Sequence, residues 1–317
     1  MRIAAILVLA LWSVSEVQAE ERWALVLSGA SGGPKYAEQM REWRTGIVSA
    51  LVDRYGFSAD KVRVLVDETV KTGEQGTAAN LRKSMAEIRQ GLTREDLLLI
   101  ILLGHGTHDG DVAKFNLVGP DLTAADWAGL LNGLPGRLVM VNTTSASFPF
   151  LERLAGANRV VITATDSVAQ KYATVFPDYF AKAMSEASSD LDKNGRTSVF
   201  EVFAATSAAV KQHYQQRGQL TTERAVFDDN GDGVGREAEA PGPDGSMARL
   251  LYLDAESPAA ANNPELAALI RRRRELETEA EALKQKKGAM PGPAWQAEYE
   301  KLMIELAKVS REIRTRS

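Results

Sequence analysis

The amino-acid sequence predicts an α/β fold, a three-layer sandwich with a mostly parallel central sheet, and two observations carry the prediction. Through the first half of the chain, short apolar runs alternate with stretches of helical period. One of these runs, Leu97–Leu103, is seven consecutive apolar residues. A run so short and unbroken reads as a strand covered on both faces, as in the middle of a parallel sheet. The βαβα order then implies right-handed crossovers with helices on both sides.

The elements follow in order. Residues 23–27 form a first strand. Met40, Trp43, Ile47 and Leu51 give 37–55 a helical face that stops at Gly56. Val62–Val66 is a second strand, and Leu81, Met85, Ile88 and Leu92 share one face of a second helix. Leu97–Leu103 follows, then a helix over 123–131 and strands over 138–141 and 160–163. Helices are expected over 177–188 and Val199–Gln216, and a last strand over 248–253. Pro264 opens a helix at its first position, in which Leu269, Leu276 and Leu283 recur every seventh residue. Residues 288–293 break it. A second helix carries Trp295, Tyr299, Leu302, Leu306, Val309 and Ile313, spaced by four and three. That is a heptad seam, and the short break predicts an antiparallel hairpin. The basic run 271–274 reads as a solvated helix face.

Composition removes several function classes. Among 317 residues, 38 Lys+Arg against 42 Asp+Glu give a net charge of −4. Such a chain has no general attraction to nucleic acid or anionic membrane. There is no cysteine, which excludes disulfides, thiolate metal sites and thiol nucleophiles. At the N-terminus, Arg2 precedes an apolar run from Ile3 to Trp12, and Val17-Gln18-Ala19 fits a small-x-small cleavage site. This predicts a signal peptide over 1–19 and a mature chain from Glu20, secreted or periplasmic. No later apolar stretch is long enough to span a bilayer.

In open parallel sheets, chemistry sits beyond the carboxyl ends of the strands. After Leu103 comes Gly104-His105-Gly106-Thr107-His108-Asp109-Gly110, which presents His105 on a tight turn as a potential general base. After Val141 comes Asn142-Thr143-Thr144-Ser145-Ala146-Ser147-Phe148, a run of hydroxyls on the neighbouring strand tip. An apolar strand ending in His-Gly, with a second strand ending in a nucleophile and a small-residue turn, resembles the caspase and legumain clan of cysteine peptidases. The strand sequences Arg22-Trp23-Ala24-Leu25-Val26-Leu27 and Val160-Val161-Ile162-Thr163-Ala164-Thr165 are similar to clan strands as well. The resemblance covers residues 20–188. It implies that His105 takes the catalytic histidine position and Thr144 the cysteine position, where the clan's chemistry requires a thiolate.

Two readings of this pair stand side by side. A secondary alcohol needs a strong activating relay, and without one the pair belongs to a catalytically degenerate module that binds a peptide or protein. With one, Thr144, Ser145 or Ser147 would serve an active endopeptidase. Alternatively the hydroxyls cap the helix starting near Phe148 and His105 is an ordinary turn residue, as in an envelope scaffold stapled by calcium.

The most specific motif lies further on. Asp190, Asp192, Asn194, Ser198 and Glu201 occupy positions one, three, five, nine and twelve of an EF-hand loop, with Gly195 at six. Arg196 at position seven would contribute its backbone carbonyl. The expected ligand is one structural Ca²⁺. Asp228, Asn230, Asp232 and Glu239 outline a second acidic loop that lacks a normal exiting helix, either a calcium turn or a solvated loop. The predicted organisation is therefore a signal peptide (1–19), an α/β domain (20–188), a calcium-loop extension (189–257) and a helical tail (258–317) offering a seam for self-association.

Overall fold

The computed structural model describes residues 20–67, 74–110, 112–255 and 263–316. The expected signal peptide and the linker preceding Asn263 lie outside the described residues. The elements in chain order are β1 (Arg22–Ser28), α1 (Pro34–Ser49), β2 (Val62–Val66), β3 (Glu74–Gln75), α2 (Ala78–Gly91) and β4 (Leu97–Leu103). They continue with β5 (Gly106–Asp109), β6 (Val112–Phe115), β7 (Leu122–Thr123), α3 (Ala124–Leu131), β8 (Arg137–Asn142), α4 (Phe148–Leu154) and β9 (Arg159–Thr163). The rest are α5 (Phe176–Ser185), α6 (Val199–Gln216), β10 (Val226–Asp228), α7 (Ser246–Leu250), α8 (Pro264–Gln285) and α9 (Gly292–Arg316).

The main sheet has the order β10-β9-β8-β4-β1-β2-β3. Every pairing in it is parallel except that of β10 with β9. Alternate strand residues feed two cores, as the two-residue period of a strand requires. Leu97, Leu99 and Ile101 pack with Met40, Ile47, Phe180 and Phe203 from α1, α5 and α6. Leu98, Ile100 and Leu102 pack with Met85, Trp127 and Leu151 from α2, α3 and α4. The fold is the α/β sandwich expected, and β4 at its centre is buried along its whole length.

The helices end where local chemistry dictates. Thr77 caps α2 by accepting from the Asn80 N–H, and Thr123 and Asp126 form a capping box at α3. The helix over 37–55 is α1 followed by one π-type turn, Ala50–Arg54, and Gly56 then turns the chain at φ +67°.

Gly106–Asp109, Val112–Phe115 and Leu122–Thr123 form a small antiparallel sheet, β5-β6-β7, lying over the second core. One local expectation, a last strand over 248–253, is corrected. Residues 246–250 are helix rather than strand, because the buried Asp229 carboxylate accepts from the Gly245 and Ala248 N–H groups and fixes the first turn of α7. The backbone after it is extended but is not a strand of the main sheet; Val199 donates to Leu251 O and Leu253 donates to Thr197 O. Residues of α6 and α7 share the first core with α1 and α5.

The tail is a hairpin. Trp295 near the start of α9 donates to Leu283 O near the end of α8, while Ile313 near the end of α9 packs with Leu266 and Ile270 near the start of α8. Its α8 face is tied to the body by Arg196–Glu277, Arg249–Glu281 and Arg274–Glu20. Among the described residues, no helix is long and apolar enough to cross a membrane.

Candidate functional site

The chain leaves β1 toward β2 on one side and β4 toward β8 on the other, so the carboxyl ends of β1 and β4 flank the point where the strand order reverses. In open parallel sheets ligands tend to bind at such a point. The loop after β1, Gly29–Gly33, meets the turn after β4 at this point: Gly29 donates to Leu103 O. His105 Nε2 lies 3.0 Å from the Ser31 carbonyl oxygen. A carbonyl can only accept, so Nε2 carries a hydrogen in this contact. The Tyr36 ring, from the first turn of α1, meets the imidazole edge-on at 4.9 Å.

Thr144 follows β8, the neighbour of β4, and the register pairs Leu102 with Asn142. The two loops therefore emerge from adjacent parallel strands at the same end of the sheet. Gly106 brings them into contact. A Cβ at that position would lie 2.3 Å from Ser145 O and 2.5 Å from Thr144 Oγ1, so only glycine allows this approach.

The hydroxyls in the turn are committed elsewhere. Thr144 is 1% exposed, and its Oγ1 donates to Asn142 Oδ1 at 2.8 Å. Ser145 Oγ donates to Gly106 O at 3.1 Å. Ser147 Oγ pairs with Thr165 Oγ1 at 3.0 Å and makes no cap to α4, contrary to the capping expectation. A general base must accept the hydrogen of its nucleophile, and the hydrogen of Thr144 points at an amide oxygen. Ala146, at φ +50°, holds the turn in a conformation unusual for a residue with a side chain. The amide Nδ2 of Asn142 is buried without a hydrogen-bond partner.

The segment after β9 is bonded to the turn after β8. Ala146 donates to Gln170 O, and Thr174 donates to Thr143 O. The Glu223 carboxylate anchors the far end, accepting from the Val175 and Phe176 N–H groups and from the Tyr214 hydroxyl. Burial pushes the Glu223 carboxyl above its usual range. Sequence reasoning missed Glu223, Tyr36 and Ser31, because each reaches the site through tertiary contacts rather than by a motif. His108 lies on β5, half-buried, paired with Ala113.

The first acidic loop lies at the other end of the sheet. Arg22 at the start of β1 donates to Tyr55 O and Leu253 O, and Leu253 in turn bonds Thr197 O. Asp190, Asp192 and Glu201 bring one carboxylate oxygen each within 4.8 Å of one another. Asp190 accepts from the Asn194 and Gly195 N–H groups, and Asn194 Oδ1 accepts from Arg196 N–H. Glu201 Oε1 accepts from Leu191 and Asp192, while Oε2 accepts from Ser198 in a capping box. Burial, then the Glu201 and Asp190 charges, raises the Asp192 carboxyl. Hard oxygen donors in this arrangement suit a calcium ion. The Arg196 side chain turns away from this chemistry and stacks 3.5 Å over the Tyr252 ring.

In the second loop, Asp228, Asn230 and Asp232 stay together, but Glu239 does not join them. Both of its oxygens accept from Lys211 at 2.9 Å.

No family model matches the chain. A stretch of 57 residues is 39% identical to Metacaspase-4 of Arabidopsis thaliana, a caspase-like peptidase. That stretch is 18% of this chain and 13% of the plant protein. Among solved structures, protein GSU0716 of Geobacter sulfurreducens overlaps 68% of this chain and 97% of its own at 12% identity, with a TM-score of 0.43.

Proposed function

We propose that this chain is an exported, caspase-like protein that binds a peptide or protein segment at the carboxyl ends of β1, β4 and β8 without cleaving it, and that a structural Ca²⁺ held by Asp190, Asp192, Asn194, Ser198, Glu201 and the Arg196 carbonyl stabilises it. The observation that carries the reading is the Thr144 hydroxyl: it is buried and donated to Asn142 Oδ1, while the His105 Nε2 hydrogen is committed to Ser31 O. A site with an imidazole and no activated nucleophile can hold a chain but has nothing to attack it with.

Two tyrosines support a peptide ligand. Tyr36 is 39% exposed beside His105, and Tyr172 is 72% exposed on the segment that bonds Ala146 and Thr143. Aromatic rings with polar tips are suited to contacts with both apolar and polar parts of a peptide. Export rests on the N-terminal segment, and the exposed Met303 and Ile304 of α9 favour self-association through the hairpin.

The test is incubation of the purified chain with an unbiased peptide library, with and without calcium. Retention of a peptide subset without hydrolysis is expected, and His105→Ala should weaken that retention. Cleavage that His105→Ala abolishes would overturn the proposal in favour of an alcohol-dependent endopeptidase.

A further inference from the structure

We infer that Asp228, Asn230, Asp232, the Val234 carbonyl and Asp244 form a second Ca²⁺ site, in which Asp244 supplies the carboxylate that Glu201 supplies in the first. The inference rests on a matched set of hydrogen bonds and on one buried oxygen with no hydrogen-bond partner.

The two loops bond their own backbones in the same way. The first-position aspartate accepts from the sixth-position glycine in both, Asp190 from Gly195 at 2.9 Å and Asp228 from Gly233 at 2.7 Å. The third position accepts from the fifth N–H, Asp192 from Asn194 and Asn230 from Asp232. The fifth accepts from the seventh, Asn194 from Arg196 and Asp232 from Val234, each at 2.8 Å. The fourth and sixth residues have positive φ in both loops: Lys193 +57° and Gly195 +85°, Gly231 +83° and Gly233 +74°.

The closing carboxylate then identifies itself. Glu201 Oε1 accepts from the N–H groups at positions two and three, Leu191 and Asp192. Asp244 Oδ1 accepts from the same two positions of the second loop, Asp229 at 3.0 Å and Asn230 at 3.1 Å. It lies sixteen positions after Asp228, so the twelve-residue pattern pointed instead to Glu239. The first loop enters its helix directly, and Glu201 sits in the first turn. The second makes an excursion through 235–243 before α7 begins, and Asp244 stands two residues ahead of that helix.

The other oxygen of Asp244 lies beside a charged group rather than a hydrogen-bonded donor. Asp244 has no exposed surface, and its Oδ2 makes no hydrogen bond. Arg236 is the nearest cation, with Nε 3.5 Å from Asp244 Oδ2 and NH2 3.8 Å from Asp232 Oδ2. Neither contact is a hydrogen bond, and Arg236 Nε is itself buried without one. The guanidinium therefore balances charge without satisfying the oxygen. Three carboxylates, an amide oxygen and a carbonyl are a hard-donor set of the kind that selects calcium over softer metals.

Equilibrium dialysis of the full chain against Ca²⁺ tests the inference. Wild type should bind two ions, Asp244→Asn one, Glu201→Gln one, and Glu239→Ala two. Asp232→Ala changes a part-exposed residue and should also bind one, which guards against a fold defect in the buried Asp244 variant. A wild-type stoichiometry of one that Glu201→Gln abolishes would overturn the second site and leave the first standing. A single ion lost in Asp244→Asn but kept in Glu201→Gln would do the reverse. Two ions retained in Asp244→Asn and Asp232→Ala, or one lost in Glu239→Ala, would also overturn the assignment.

Discussion

Gly106 leaves room for the Thr144 side chain: a methyl group added at Gly106 would lie 2.5 Å from the Thr144 hydroxyl oxygen. The turn after β4 and the turn after β8 are thus locked by one absent side chain. Gly106→Ala should force one loop aside and cost about 1–3 kcal/mol, the usual range for overpacking. Chemical denaturation measures the cost, and circular dichroism of the folded state should be unchanged. A variant as stable as wild type would mean that the loops do not touch.

Thr144→Cys would introduce the only thiol of the chain. The site has 1% exposure and its side chain faces Asn142 Oδ1, so the new thiol should alkylate more slowly than a free cysteine. Unfolding in denaturant should restore the ordinary rate. Rapid alkylation in the folded state that His105→Ala suppresses would reveal a thiolate–imidazole pair and contradict the arrangement described.

Calcium should raise the melting temperature. Binding to the folded state alone contributes about 2.7 kcal/mol at a hundredfold excess over Kd for each site. EGTA should therefore lower the wild-type transition. Glu201→Ala removes both a ligand and the capping box with Ser198, so it should melt below wild type even in EGTA, by roughly 1 kcal/mol for the lost cap. Glu201→Gln keeps a capping acceptor and separates the two effects. Identical wild-type curves in Ca²⁺ and EGTA would rule out ion binding.

Glu223 gives a pH dependence. Its folded carboxyl is raised above 4.5, first by burial. The folded chain then holds this proton more readily than the unfolded chain does. Its contribution to stability is full below the ordinary glutamate range and is lost as pH rises through the folded value. The stability of wild type relative to Glu223→Gln should accordingly fall between acidic and neutral pH. A difference independent of pH would mean that the two hydrogen bonds from the start of α5 fully offset the burial.

The sheet was legible because its signals are local and redundant. Leu97–Leu103 reads as a buried strand on composition alone, and Met40, Trp43 and Ile47 mark the buried face of α1 by spacing alone. The strands β5–β7 escaped because they are only two to four residues long. Their clue was Asp109-Gly110, a turn dipeptide at φ +59°. Residues 248–253 carry apolar residues that suit strand or helix equally, and Asp229, far away in sequence, decides for helix at 246–250. The site was half legible. His105 and Thr144 could be placed on adjacent strand tips, but the partners of their polar atoms could not. Ser31 is 74 residues from His105, and no spacing rule reaches that far. Asp244 escaped for the opposite reason, because the spacing rule applied too readily and Glu239 satisfied it.

The strands separate the proposed peptide site from the first acidic loop. β4 runs seven residues between the two ends, about 23 Å at 3.3 Å per residue. The hairpin is tied at the loop's end, through Arg196–Glu277 and Arg274–Glu20, and a short peptide lying across His105 cannot reach it. If the proposed peptide binds beside His105 and copies associate through the hairpin, the two contacts would lie at opposite ends of the sheet. An assembly held through the hairpin would keep every peptide site open, and a repeated target would then be gripped with an avidity that no single copy could match.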